Sequence, residues 1–250
     1  MKLTGNTIFI TGGGSGIGRG LAEALHGLGN KVIISGRRKT VLEETIKANS
    51  GMEFVELDIE DPASISAVAE KLVAEHPGLN VLINNAGIMK MDGVEGVVDD
   101  AVVASIVTTN LLGPIRMTSA LIEHLKKQPS ATVVNVTSGL AFVPLAMTAT
   151  YSATKAAMHS FSLSQRYLLA GTSVKVLELP PPYVQTELGG PQQAVDPRAM
   201  PLKDFIDATM TVLATDAIEV SVEQVSFLRN GTGPNDAEMT KKFNDMMAGH

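Results

Sequence analysis

Short apolar runs rich in β-branched residues alternate along most of the chain with segments of helical period. Thr7 to Thr11 (TIFIT) reads as a buried strand; after Gly12-Gly13-Gly14-Ser15-Gly16, Ile17, Leu21, Leu25 and Leu28 recur at helical spacing until Gly29. Lys31 to Ser35 reads as a second strand and Lys39 to Asn49 as a polar helix. Strand Glu53 to Leu57, helix Pro62 to His76 and strand Asn80 to Ile83 follow. A long helical stretch is expected from Asp99 to Lys127, then strand Thr132 to Thr137, helix Tyr151 to Ala170 and strand Ser173 to Leu179. Beyond a Pro/Gly-dense segment the pattern predicts a helix near Leu202 to Ala214, a last strand over Glu223 to Leu228 and a terminal helix over Asp236 to Met247.

Strands that are apolar throughout and joined through helices imply a mostly parallel central sheet with helices on both faces. The alternation meets no linker, so residues 1–250 are expected to form a single doubly wound α/β domain, with about 188–200 as a lid inside it. Composition agrees: 44% hydrophobic against 18% charged residues is enough to fill a core. The absence of cysteine excludes disulfides, thiolate metal sites and a cysteine nucleophile, and it fits a reducing compartment. A net charge of −6 without blocks of like charge argues against nucleic acid as a partner. No secretory signal and no run near the ~18 apolar residues of a membrane span are evident, so a cytoplasmic protein without a membrane partner is expected. Glycine, 23 of 250 residues, exceeds the usual ~7%, which directs attention to where the glycines fall.

Five of them, with Ser15 and Ile17, stand in Thr11-Gly12-Gly13-Gly14-Ser15-Gly16-Ile17-Gly18 between the first strand and the first helix, where a dinucleotide pyrophosphate can meet a helix N-terminus. The alternative is an ordinary tight turn. The Gly-x-x-x-Gly-x-Gly spacing resembles the short-chain dehydrogenase/reductase family, and further marks follow in order over residues 5–190. Asp58 follows the third strand, Asn84-Asn85-Ala86-Gly87 the fourth, Asn110 lies in the long helix, Ser138 ends the fifth strand, and Tyr151-Ser152-Ala153-Thr154-Lys155 opens the next helix.

The resemblance implies a Rossmann-type fold and hydride transfer between a nicotinamide dinucleotide and a carbonyl or alcohol. Gly12, Ser15, Gly16, Ile17 and Gly18 would cradle the cofactor, Asp58 would accept from the adenine amine with Ile59 beside the ring, and Asn85-Ala86-Gly87 would approach it by backbone. A helix N-cap ahead of Pro62 is the other reading of Asp58. Strand 2 ends without an acid, in Ser35-Gly36-Arg37-Arg38. Arg37 could grip a 2′-phosphate and Arg38 stack on the adenine, which favours NADP(H), with NAD(H) as the alternative and two solvated surface arginines as the plain one.

Tyr151 and Lys155, four apart at a helix start, share a face about 40° apart at 3.6 residues per turn. An ammonium nearby is expected to lower the phenol pKa toward working pH. By resemblance Lys155 also holds the nicotinamide ribose, Ser138 bonds the substrate oxygen and Asn110 positions a water. The family's Pro-Gly-x-Val-x-Thr segment, whose backbone and Thr by resemblance contact the nicotinamide carboxamide, reads here Pro181-Pro182-Tyr183-Val184-Gln185-Thr186; Pro182 replaces the glycine and is expected to alter the loop's path, while Pro181, Val184 and Thr186 keep a cofactor role. Met89, Leu140, Ala141, Phe142, Val143, Met147 and Tyr183 are the expected substrate pocket, suited to a neutral, moderately hydrophobic ketone or aldehyde.

The five histidines, His26, His76, His124, His159 and His250, show no metal-ligand spacing, so no metal is expected; His159 is assigned to a subunit interface. A homodimer through the two long helices or a homotetramer is expected. The leading reading is an NADPH-dependent carbonyl reductase. An NAD-linked alcohol dehydrogenase and an acyl-chain 3-ketoreductase are the enzymic alternatives, and a dinucleotide-sensing binding protein the non-enzymic one.

Overall fold

A computed structural model describes residues 1–248, so His250 lies outside the described residues. Six strands form one sheet: β1 (Thr7–Thr11), β2 (Lys31–Gly36), β3 (Glu53–Glu56), β4 (Leu79–Asn84), β5 (Ala131–Val136) and β6 (Val174–Leu179). All five neighbouring pairs are parallel, in the order β3-β2-β1-β4-β5-β6. The crossovers are helical: α1 (Gly16–Gly27), α2 (Lys39–Ala48), α3 (Pro62–Glu75), α4 (Asp100–Val107), α5 (Gly113–Leu125) and α6 (Ala149–Leu169). After β6 come α7 (Leu202–Leu213), the short α8 (Ser226–Arg229) and α9 (Asp236–Ala248). This is the expected doubly wound, Rossmann-like domain.

Alternation along the strands sorts the core into two layers. Ile8 and Ile10 of β1 face Leu21 and Leu25 of α1 and Phe205 of α7, whereas Phe9 faces the opposite side with Leu72 of α3 and Met117, Leu121 and Leu125 of α5. Strand order reverses between β1 and β4, and a crevice at such a switch point, beyond the carboxyl ends of the strands, is where ligands bind in open α/β sheets.

Two sequence expectations fail. Glu223 to Leu228 is not a strand but a 3-10 turn (Glu223–Val225) running into α8. The buried positions explain it: Val220 to Val222 is a step of two, but Val222, Val225 and Leu228 step by three, a helical spacing. Residues 218–220, not 223–228, lie beside β6, with Glu178 N–H donating to Ile218 O at 3.0 Å and Val220 N–H to Glu178 O at 2.7 Å. The second concerns membrane spans: by length and mean hydropathy the continuous helical stretch Asp100–Leu125 meets the usual measure for one. Its inward side chains Ile106, Met117, Leu121 and Leu125 are core residues of this domain.

The long helix also carries a defect. Thr108–Leu112 form a π-turn between α4 and α5, with Asn110 at its centre and 2% exposed. Such a wide turn inserts a residue into the helical ladder, and it is common at functional sites.

Candidate active site

The loops after β1 and β4 are joined by the chain itself. Asn85 Nδ2 donates to the carbonyls of Thr11 and Gly12 at 3.0 and 3.1 Å, and Thr11 Oγ1 accepts from the N–H groups of Asn85 and Ala86 at 3.0 and 3.1 Å. The fit leaves no room for side chains. A Cβ on Gly18 would stand 2.3 Å from both Asn85 Nδ2 and the Gly12 carbonyl oxygen, and one on Gly12, whose φ is +67°, would meet Ala86 Cα at 2.9 Å. Ser15 is the N-cap of α1 but makes no capping bond. The first amides of that helix are therefore left for an anion, which fits a dinucleotide pyrophosphate on a glycine cradle.

The two arginines take different partners. Arg38 Nη2 donates to Ser15 Oγ at 3.4 Å, so it reaches over the glycine loop, whereas Arg37 turns to Glu60 at 3.4 Å, beside Asp58. Asp58 is exposed and takes the Glu60 N–H; the N-cap of α3 is Asp61, which accepts from Ala63 and Ser64. Ile59 is 7% exposed and packed in the core, where its Cγ1 would lie 2.7 Å from a Cβ on Gly113, instead of presenting an open face to a ring.

Helix α6 brings Tyr151 and Lys155 to the ends of β4 and β5. Asp92 supports its first turn, its Oδ2 accepting from Thr150 N–H at 2.7 Å. Tyr151, Lys155, Ser138 and Asn110 are all buried, and they converge. Lys155 Nζ donates to Val136 O at 2.8 Å and lies 5.5 Å from the Tyr151 ring centroid. Asn110 Oδ1 accepts from Ile88 N–H at 2.9 Å while its Nδ2 donates to Ile88 O at 2.8 Å. Gly87 closes the group: a Cβ there would come within 3.3 Å of Asn110 Oδ1 and 3.8 Å of Lys155 Nζ.

Electrostatics reverse one expectation. Burial pushes the Tyr151 phenol up to about 12, with the Ser138 hydroxyl pulling weakly the other way, and desolvation takes the Lys155 ammonium down to about 8. Both groups lose water, and the lysine's bond goes to Val136 and not to the phenol oxygen. Tyr151 is thus protonated at neutral pH.

The lysine carries a stability consequence. Below pH 8 both folded and unfolded chains hold the charge, and burying it costs about 3 kcal/mol for a shift of this size. Between about 8 and 10.5 the folded protein has shed a proton that the unfolded chain still binds, so stability rises with pH across that window. Lys155→Met is expected to be more stable than the parent at pH 7, by about 2 kcal/mol once the lost hydrogen bond is counted. It should also flatten the rise between pH 8 and 10. Urea unfolding at several pH values measures both, and a variant less stable at pH 7 would contradict the assignment.

The expected substrate pocket is only partly assembled. Met89, Leu140 and Ala141 are half-buried, and Met89 meets the lid, its Cε standing 2.8 Å from a Cβ placed on Gly189. Met147 is exposed at the rim. Val143 instead belongs to a small core with Leu228 and Phe243 beneath α9. The Phe142 ring is held between His159, edge-on at 5.1 Å, and Arg229 at 4.7 Å. Tyr183 turns outward: its hydroxyl donates to Asp196 at 3.1 Å, and it lines a cavity of about 430 Å³ with Pro182, Arg198, Met200 and Asp204 that none of the four convergent residues borders. Arg198 holds the Asp196 carboxyl well below the usual range.

Pro182 does not carry the following segment away from the site. The Pro181 carbonyl accepts from Gly139 N–H at 2.8 Å, beside Ser138, and Thr186 Cγ2 lies 3.5 Å from a Cβ on Gly16. Three supports escaped the sequence reading. Buried Glu178 takes His159 Nδ1 at 2.8 Å and the Thr137 hydroxyl at 2.8 Å, so His159 is tied to β6 beside the site. Gln193 is buried in the lid. Asn244 of α9 accepts from Ala146 N–H at 2.6 Å and donates to Pro144 O at 3.0 Å, clamping the loop that follows Ser138. An acid inside an apolar strand marked Glu178, whereas no local pattern marks Gln193 or Asn244.

Known proteins are similar to this chain in sequence and fold. The chain is 39% identical to the uncharacterized oxidoreductase DltE of Bacillus subtilis (strain 168) over 98% of both chains. The crystal structure of a short chain dehydrogenase from Burkholderia cenocepacia J2315 in complex with NADP superposes with a TM-score of 0.84 at 27% identity, covering 97% of this chain and 98% of that one. A 3-ketoacyl-(acyl-carrier-protein) reductase from Brucella melitensis, complexed with NADH, gives 0.79 at 27% identity over 90% of this chain and all of the other. The short chain dehydrogenase family model matches residues 6–196, over which the glycine loop, Asn110, Ser138, Tyr151 and Lys155 all fall, and the chain is a member of that family of oxidoreductases.

Proposed function

We propose that the protein is an NADPH-dependent carbonyl reductase, running in reverse as a secondary-alcohol dehydrogenase, for a neutral and moderately hydrophobic ketone or aldehyde. The observation that carries this reading is the buried, protonated Tyr151 beside Ser138 and Lys155 at the mouth of a glycine cradle. A bound nicotinamide dinucleotide supplies or takes up the hydride. Ser138 holds the substrate oxygen, and Tyr151 Oη gives that oxygen its proton as negative charge develops on it, regaining one in the reverse direction. Lys155 binds the ribose and brings positive charge near the phenol ring. Asn110, fixed to both backbone groups of Ile88, holds a water from which Tyr151 is reprotonated.

A neutral substrate is supported by the half-buried Met89, Leu140 and Ala141 and by the fact that the nearby cation, Arg229, is already paired with Glu219 at 2.9 Å. NADP(H) over NAD(H) is supported by Arg38 and Ser15 together over the glycine loop, a cation and a hydroxyl suited to a 2′-phosphate. A cytoplasmic location is proposed, which the lack of cysteine fits, and the assembly is proposed as a homodimer through the long helices or a homotetramer. The test is oxidation of NADPH and of NADH, followed at the reduced-cofactor absorbance band, over a panel of ketones and aldehydes. We expect turnover with NADPH, and Arg38→Asp should raise its KM by about 10- to 100-fold with little change for NADH. Equal losses for both would remove Arg38 from the phosphate site. Tight binding without turnover on any carbonyl would favour the dinucleotide sensor.

A further inference from the structure

Glutamine is mostly a surface residue, yet Gln193, in the 3-10 turn Pro191–Val195 of the lid, is 8% exposed and fully engaged. Its Nε2 donates to the Val184 carbonyl at 2.8 Å and to Thr186 Oγ1 at 3.1 Å, and its Oε1 accepts from Gly189 N–H at 2.8 Å. The amide is therefore oriented by the backbone at both ends, since reversing it would set its oxygen against the Val184 carbonyl and its N–H groups against the Gly189 N–H. Thr186 Oγ1 accepts a second time, from Leu188 N–H at 3.4 Å. A hydroxyl has two acceptor positions and one hydrogen. With both acceptor positions taken by the protein, Thr186 has only its O–H left to offer, at the point where its Cγ2 lies beside Gly16.

We propose that Gln193 is a positioning residue that makes the Thr186 hydroxyl a hydrogen-bond donor only, so that the site selects the carbonyl oxygen of the nicotinamide carboxamide and not its NH2 group. This deepens the cofactor reading given above and rests on it. A hydroxyl free to turn would serve either end of a carboxamide, because it can donate to the oxygen or accept from the nitrogen. The lid residue removes that freedom from a distance, without touching the ligand.

Two cofactor analogues separate the ends. The 3-acetylpyridine analogue of NADP+ keeps the carbonyl oxygen and replaces NH2 by methyl; the thionicotinamide analogue keeps NH2 and replaces the oxygen by sulfur, a poor acceptor. Calorimetric Kd values for the parent protein are expected to put the acetylpyridine form within about twofold of NADP+ and the thio form about three- to tenfold weaker, the worth of one hydrogen bond. Gln193→Glu keeps the shape but presents an oxygen to Thr186, which turns its O–H onto the carboxylate, and the preference should fall to within about twofold. 2′-Phospho-ADP-ribose, which has no nicotinamide, should bind parent and variant alike and reports that the fold is intact. Should Gln193→Glu fail to fold, Thr186→Val must erase the same preference. Equal binding of the two analogues by the parent, or an unchanged ratio in a variant that binds 2′-phospho-ADP-ribose normally, overturns the proposal alone. Failure of NADP+ and NAD+ to bind at all overturns the cofactor reading together with it.

Discussion

Tyr151→Phe is expected to lower kcat by about three orders of magnitude or more while the Kd for NADPH stays within about threefold, the upper part of what a positioned proton donor contributes. The phenol oxygen is the only atom removed. Its ring, 5% exposed and near Lys155 Nζ, keeps its volume in phenylalanine, so helix α6 and Lys155 remain in place. In the protein the phenol has its pKa raised to about 12 by burial, so loss of activity on raising the pH to 9 would not come from ionisation of Tyr151 itself. Stopped-flow turnover together with cofactor titration separates the two effects. Retention of more than a tenth of the parent kcat would take Tyr151 out of the proton-transfer step.

Gly18→Ala is expected to weaken cofactor binding by about 100-fold and to destabilise the fold by about 1–3 kcal/mol, the usual cost of forcing an extra carbon into a packed site. The added methyl would meet two groups at 2.3 Å, the Asn85 amide and the Gly12 carbonyl. The amide can swing aside only by abandoning its bonds to Thr11 and Gly12, and the carbonyl belongs to a backbone that is itself fixed against Ala86. Either response opens the seam between the loops after β1 and β4. Urea unfolding and calorimetric titration with NADP+ read the two losses, and a variant that binds like the parent would show that the seam can relax without harm to the cradle.

What could be read from the chain followed the range of the forces concerned. Strand runs, glycine spacing and the Tyr-x-x-x-Lys pair are local patterns, and they led to the sheet, the cradle and the four convergent residues. Side-chain direction is decided by distant partners. Tyr183 follows Asp196 outward, Phe142 is taken by Arg229 and His159, and Val143 is covered by Phe243 from a hundred residues away. Arg37 and Arg38 part because their partners, Glu60 and Ser15, come from different loops. The pKa of Tyr151 differs from expectation for the same reason. A charge four residues along the helix was legible, but the depth at which the surrounding elements bury it was not.

The Asn244 clamp has a consequence for the birth of the protein. It joins residues 98 and 100 apart, and the loop it holds carries the residues that follow Ser138. On a ribosome adding about 5–20 residues per second, the segment 139–147 emerges roughly 5–20 s before its clamp does. All six strands are complete by Leu179, so the sheet can assemble in that interval while the loop waits without its last support. The loop after Ser138 is then set only once residue 244 has emerged, and a chain halted before that point would carry a formed sheet beside an unset loop.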